Sequence, residues 1–500
     1  MIRTTMIFAA AACVTAAGLP AISAQAAEKP VLRLITASKT ATADRYEGEP
    51  AVYLNLGAYI AADRPWELRV KRPSYARKPV VYQRIGGKDR KLPAGLVDDF
   101  SGLPDFLKLS IRSTDGKIEQ KLSQTFCPLG PSSRIKKEAV ATNKYPDSCS
   151  YNPFTLGSVW GIQKGWAVNT ASGYYGPAPA SADLPAGTYD VAVSVAKKYR
   201  KLFRIGGGTK HVRLTVRLIQ NQDAQGRKRA AGAALKAVRP TGKPRIPKGP
   251  RPDLRALPAY GIAISQDETG AIPMPPMPGM PTPAPAPAPA VPAPVHDYLQ
   301  FAANVWNAGP SPLIVDGFRR GRQGLMDGYQ YFYDTRGKQV GYQRTGQFEW
   351  DPRPGHEHWH FKDFATYRLL GADRKLIVRS QKEAFCLAAT DAIDLTVKGA
   401  KWKPSNTDLA TACGDVTSLS VREVLDVGQG DTYTQTLPGQ SFDISALKNG
   451  TYYIQVIANP KHRLIERSTG NNVSYRKVIL GGVPGARTVR VPKVGIVDAP

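Results

Sequence analysis

Apolar and polar residues alternate along most of this chain, and the alternation predicts strands nearly throughout. Val31-Leu32-Arg33-Leu34-Ile35 opens the pattern, and residues 51–56 and 107–111 continue it. Side chains of an extended segment point to two faces in turn, so a period of two marks a half-buried strand. Turn residues separate the runs, as at Pro93-Ala94-Gly95 and Ser113-Thr114-Asp115-Gly116. In the second half, residues 260–264, 299–307, 313–317, 329–333, 367–370, 418–427, 452–457 and 473–480 read the same way. Residues 184–193 (LPAGTYDVAV) echo residues 447–456 (LKNGTYYIQV). Gly-Thr-Tyr after a turn is a common hairpin start, so convergence and duplication both explain the echo. The expectation is an all-β protein with two β-sandwich-like domains.

Two stretches break the pattern. Residues 226–251 read as a basic linker: Arg and Lys recur from Arg227 to Arg255 against one acid, Asp253, and Pro and Gly interrupt them. Such a run is expected to be solvated and extended. Residues 273–295 form a Pro/Ala-rich insertion, expected as polyproline II. Met274, Met277 and Met280 would share one face of it, but about 9 Å apart along the helix, so joint Cu(I) chelation would need a bend. The domain expectation is thus 27–225 (N-terminal β-sandwich-like domain), 226–251 (linker), 252–485 (second domain, with the 273–295 insertion) and 486–500 (tail).

Residues 1–26 read as a secretory signal: Arg3, an apolar run, then Ala24-Gln25-Ala26 as a small-residue cleavage site. No later stretch has the roughly 20 apolar residues a membrane span needs. The expected location is secreted and cell-wall associated. After cleavage Cys127, Cys149, Cys386 and Cys413 remain, and an even count in an exported chain favours disulfides. Pairing within each domain favours Cys127–Cys149 and Cys386–Cys413. The formal net charge of +28 over 500 residues implies attraction to polyanions such as anionic cell-wall polymers. The signatures of a specific nucleic-acid binder are missing.

Three of the six histidines stand at alternate positions in Gly355-His356-Glu357-His358-Trp359-His360-Phe361. On a strand His356, His358 and His360 would share one face and offer three imidazoles to Cu(II) or Zn(II). The same letters fit H-E-x-x-H, a zinc-protease pattern, but that chemistry needs a helix, and Pro352, Pro354 and Gly355 oppose one.

The segment from about residue 252 to 480 resembles the catalytic domain of the lysyl oxidase family. His356-Glu357-His358-Trp359-His360 is similar to the family's copper stretch, with Asp363-Phe364 soon after. Lys382-Glu383-Ala384-Phe385-Cys386-Leu387 and Asp431-Thr432-Tyr433 are similar to the stretches supplying its organic cofactor. The resemblance implies Cu(II) on His356, His358 and His360, and a lysine tyrosylquinone joining Lys382 to Tyr433. It implies oxidation of primary amines, or of protein lysine, by dioxygen, giving aldehyde, ammonia and hydrogen peroxide. Asp363 and Asp431 are the candidate bases. Against the animal pattern this region has few cysteines, and its tryptophan-rich lead-in shrinks to Glu349-Trp350. A non-catalytic copper-holding wall or matrix protein is the alternative, with a zinc protease behind it.

Overall fold

A computed structural model describes residues 31–47, 49–171, 179–219, 239–266, 296–321, 324–334, 338–352, 357–380, 384–404, 413–435, 437 and 439–500. The expected signal at 1–26, the expected insertion at 273–295 with its three methionines, His356 and Lys382 lie outside the described residues. The protein is all-β. One short helix, Lys197–Phe203, stands among 33 described strands.

In the first half, one five-stranded sheet runs Ser132–Arg134, Trp166–Asn169, Ala58–Ala62, Leu32–Thr36, Ile205–Gly206. A second runs Thr40–Tyr46, Lys210–Ile219, Gly187–Val195, Leu103–Ser113, Glu119–Phe126. Lys210–Ile219 shows why: Val212, Leu214 and Val216 are buried while His211, Arg213, Thr215 and Arg217 are exposed. The inward sets join one apolar core containing Trp66, Phe106, Trp160 and Tyr199. Of the expected 51–56 strand only Val52–Tyr53 forms, with Leu54 adding one bond to the Ala180 carbonyl before Gly57, at φ 59°, turns the chain.

The second half packs a separate core around Phe301, Phe348, Trp359, Phe361 and Tyr367. Its six-stranded sheet runs Ala384–Phe385, His358–Lys362, Gln339–Asp351, Leu325–Tyr333, Leu313–Arg319, Ser420–Leu425. A five-stranded sheet runs Leu376–Arg379, Ala365–Leu370, Gly450–Ala458, Val473–Val483, Ala486–Arg490. The long strand Tyr298–Asn307 pairs with Gln429–Tyr433. Both disulfides, Cys127–Cys149 and Cys386–Cys413, are formed.

The repeated Gly-Thr-Tyr is structural in both places. Tyr189 donates its hydroxyl to the Pro185 carbonyl and Tyr452 to that of Lys448, each at 2.8 Å. In both, a ring at the start of a long strand clips its hydroxyl to the turn before it.

Where it is described, the basic stretch is exposed and without regular structure, and it is also docked on the sheet at two points. Arg245 exchanges two backbone hydrogen bonds with Tyr342, at 2.9 and 3.0 Å, and the Tyr342 hydroxyl donates to Gly242. Arg239 pairs with buried Asp327 at 2.6 Å. The docked amides and one guanidinium thus find partners on the sheet, while most of the stretch stays solvated.

The halves also share a small core, in which Phe154 meets Leu257, Trp306, Ile393, Val497 and Ala499. Leu156 and Gly157 donate to the Ile393 carbonyl, and Leu395 donates to Gly157. Trp402 stacks on Tyr145 with centroids 5.9 Å apart.

Candidate metal and cofactor site

The strand His358–Lys362 runs between two antiparallel neighbours. Asp351 stands opposite His358, and Phe361 stands opposite Phe385. Trp359 and Phe361 point into the core and are buried, so His358 and His360 point the other way. The Trp359 indole donates to the Asp415 carbonyl at 2.8 Å, which fixes the rotation of the strand.

His358 and His360 present Nε2 atoms 2.9 Å apart, with rings 4.6 Å between centroids. Two nitrogens each ~2.0–2.1 Å from one ion lie roughly 2.9–3.4 Å apart, so the spacing suits a shared metal. Asp351 Oδ2 is 3.3 Å from His360 Nδ1, and both residues are buried. A carboxylate on Nδ1 leaves Nε2 as the ligand atom and holds the ring in place. Asp351 escaped the sequence reasoning, because only the hairpin register shows that it faces the histidines.

The expected alternation is realised for His358 and His360. Glu357 sits outside the strand at φ 28°. The helical H-E-x-x-H reading fails over its described part, because His358 to His360 lie on a strand that brings two alternate imidazoles together.

Tyr433 ends the strand Gln429–Tyr433. Its ring packs edge-on against Phe385, centroids 4.8 Å apart, and its hydroxyl donates to the Cys386 carbonyl at 3.0 Å. These contacts join Tyr433 to the histidine strand through the short strand Ala384–Phe385. The ring therefore packs against Phe385, which stands opposite Phe361 on the neighbouring strand. Burial, then the charges of Asp431 and Glu423, push the phenol well above the usual tyrosine range.

Asp431 is buried and lies two residues before Tyr433, so both point to one face of that strand. Asp363 sits in a turn at φ 63° and pairs with Lys461 at 2.8 Å and Arg463 at 3.3 Å. The structure adds Glu423, which is fully buried and accepts from the Leu387 amide at 3.0 Å. Burial drives its carboxyl well above the ordinary range; the Leu387 amide opposes this and the Asp431 charge adds to it. Glu423 also lies 3.6 Å from Cys413 Sγ. Cys386, Cys413 and Glu423 gather within 4.8 Å, but the disulfide consumes both sulfurs, so they are not a thiolate metal site.

On the opposite face, Thr432 donates to Asp391 Oδ2 and accepts from Asn304 at 2.7 Å. Asn152, from the first half, donates to the same Asp391 oxygen at 3.2 Å. One hydrogen-bond chain thus runs from the first half to the strand that carries Asp431 and Tyr433.

Residues 334–483, which include the imidazole pair, Tyr433 and the disulfide, match the family model described as Lysyl oxidase. The similarity to lysyl oxidases is confined to this segment, and the rest of the chain lies outside the match. The chain is 28% identical over 130 residues to lysyl oxidase homolog 3B of Danio rerio, covering 26% of this chain and 14% of that protein. It is 28% identical over 131 residues to lysyl oxidase homolog 4 of Homo sapiens, covering 26% of this chain and 15% of the relative. The chain therefore spans about 15% of the length of the curated relatives it matches. The lysyl oxidase segment begins after the strands Tyr298–Asn307 and Leu313–Arg319, which complete its sheets from outside the match. No helix among the described residues is long and apolar enough to cross a membrane.

Proposed function

We propose that this protein is an exported copper-dependent amine oxidase that deaminates primary amines, including protein lysine, to aldehydes with release of ammonia and hydrogen peroxide. The observation that carries this reading is the 2.9 Å Nε2–Nε2 pair of His358 and His360, backed by Asp351, inside a lysyl oxidase segment. His358 and His360, with His356, would hold Cu(II), since imidazole suits that ion. Lys382 and Tyr433 would form the lysine tyrosylquinone. When present, the metal and quinone supply the carbonyl that condenses with the amine and the acceptor for its electrons.

The chain's own residues have separable parts. Asp351 holds His360 by its Nδ1 edge. Phe385 and the Cys386 carbonyl fix the ring and hydroxyl of Tyr433. Asp431, on the Tyr433 face, is the base that takes the proton from the substrate carbon next to nitrogen. A positioned base contributes ~10²–10⁴-fold. Asp363, already committed to Lys461 and Arg463, holds the turn after the histidine strand. Glu423 accepts from the Leu387 amide beside the Lys382 stretch.

The test is a peptide map of copper-loaded protein, with peroxide measured on adding an alkyl amine. A Lys382–Tyr433 crosslink and peroxide release are expected. Unmodified Lys382 and Tyr433 together with no peroxide would sink the proposal. Bound copper without reaction to phenylhydrazine would favour the alternative, a copper-holding wall protein, for which the solvated basic residues 239–251 would supply the polyanion contact.

A further inference from the structure

A cavity of about 410 Å³ lies where the two halves meet, away from the imidazoles. Loop residues 98–101 and 150–153 of the first half and residues 496–498 of the tail form its walls. Arg72 lines it and is only 8% exposed. Its Nη1 donates to the Pro153 carbonyl at 2.9 Å, while its Nε is buried without a partner. Among the described residues no carboxylate forms an ion pair with it. The Phe100 ring lies 5.2 Å from the guanidinium carbon. A buried cation without a direct counter-ion is costly to hold, and the guanidinium fork matches a carboxylate.

The acids at the cavity limit what that anion can be. Asp98 pairs with Lys78 at 3.1 Å and Asp498 with Lys493 at 2.9 Å. Asp99 has no ion-pair partner among the described residues; its Oδ1 accepts from Ser101 N and Oγ. Its charge is close enough to support that of Arg72. One cation and one uncommitted carboxylate, beside the Phe100 and Tyr151 rings, disfavour a phosphate and complement a zwitterion.

We propose that this cavity binds a free α-amino acid, with its carboxylate on Arg72, its ammonium at Asp99 and its side chain against Phe100 and Tyr151. The inference is independent of the amine oxidase reading, because no metal or quinone takes part.

Calorimetric titration of the copper-free full chain with L-alanine, L-phenylalanine, acetate and methylamine tests it. Either amino acid should bind about tenfold more tightly than acetate or methylamine. Asp99→Asn keeps the Ser101 contacts. It should weaken amino-acid binding by about tenfold and leave acetate within about twofold. Arg72→Gln should abolish binding of both. If that variant does not fold, the Asp99→Asn comparison decides alone, since Asp99 is exposed on its loop. No binding of either amino acid, or amino-acid binding that Asp99→Asn leaves unchanged, would overturn the proposal.

Discussion

At the scale of single residues, buried carboxyls set much of this protein's response to pH. Asp426 is buried at the turn before the Tyr433 strand, and desolvation raises it from 3.8 to about 6, with Lys401 opposing. The folded protein holds that proton more tightly than the unfolded chain. Stability from this group is therefore complete below pH 3.8 and is lost as pH rises through about 6. Asp426→Asn should raise the melting temperature at pH 7 and flatten the fall between those values. The ceiling is about 3 kcal/mol, from roughly two pKa units. Glu423 invites a paired test. Glu423→Gln keeps an acceptor for the Leu387 amide, whereas Glu423→Leu leaves that donor orphaned. The leucine variant should be less stable than the glutamine variant by about 1–3 kcal/mol in urea unfolding. A signal for Glu423 did exist in the sequence. It stands between Val421 and Leu425 in the inward register of its strand, and an acid in that slot marks a buried polar site.

At the scale of elements, the histidine strand was legible because a period of two needs no partner to be read. Its pairing was not. Asp351 comes to His360 only through the antiparallel register with Gln339–Asp351, and loop length alone does not give that register. Asp351→Asn should lower Cu(II) affinity by about 10–100-fold in competition titration, with the fold intact, because it loosens the imidazole without removing a ligand. The single-strand expectation faltered at Glu357, where the chain turns to positive φ just before the strand begins. The disulfide Cys386–Cys413 ties the short Ala384–Phe385 strand to the loop whose Cys413 carbonyl accepts from Trp359. Replacing both cysteines by serine should cost about 2–4 kcal/mol in chemical denaturation. The pairing itself was legible from the even count and the division into halves.

At the scale of the whole molecule, the all-β character and the two cores followed from alternation and turn residues. The contact between halves did not. Asn152, Phe154, Trp402 and Val497 come from distant stretches, and nothing local in the sequence brings them together. Phe154 is fully buried in the shared core, so Phe154→Ala should cost about 3–5 kcal/mol. The loss should appear as earlier melting of both halves followed by calorimetry. The described end of the basic stretch is anchored at Arg245, which shortens the span over which the halves could separate.

The shared core draws on residue 154 from one side and on 257, 306, 393, 497 and 499 from the other. Peptide continuity through residues 220–238 is then not what keeps the halves together. A protease nick there should yield two fragments that co-elute on gel filtration and part only in denaturant, as complementing pieces of one particle do.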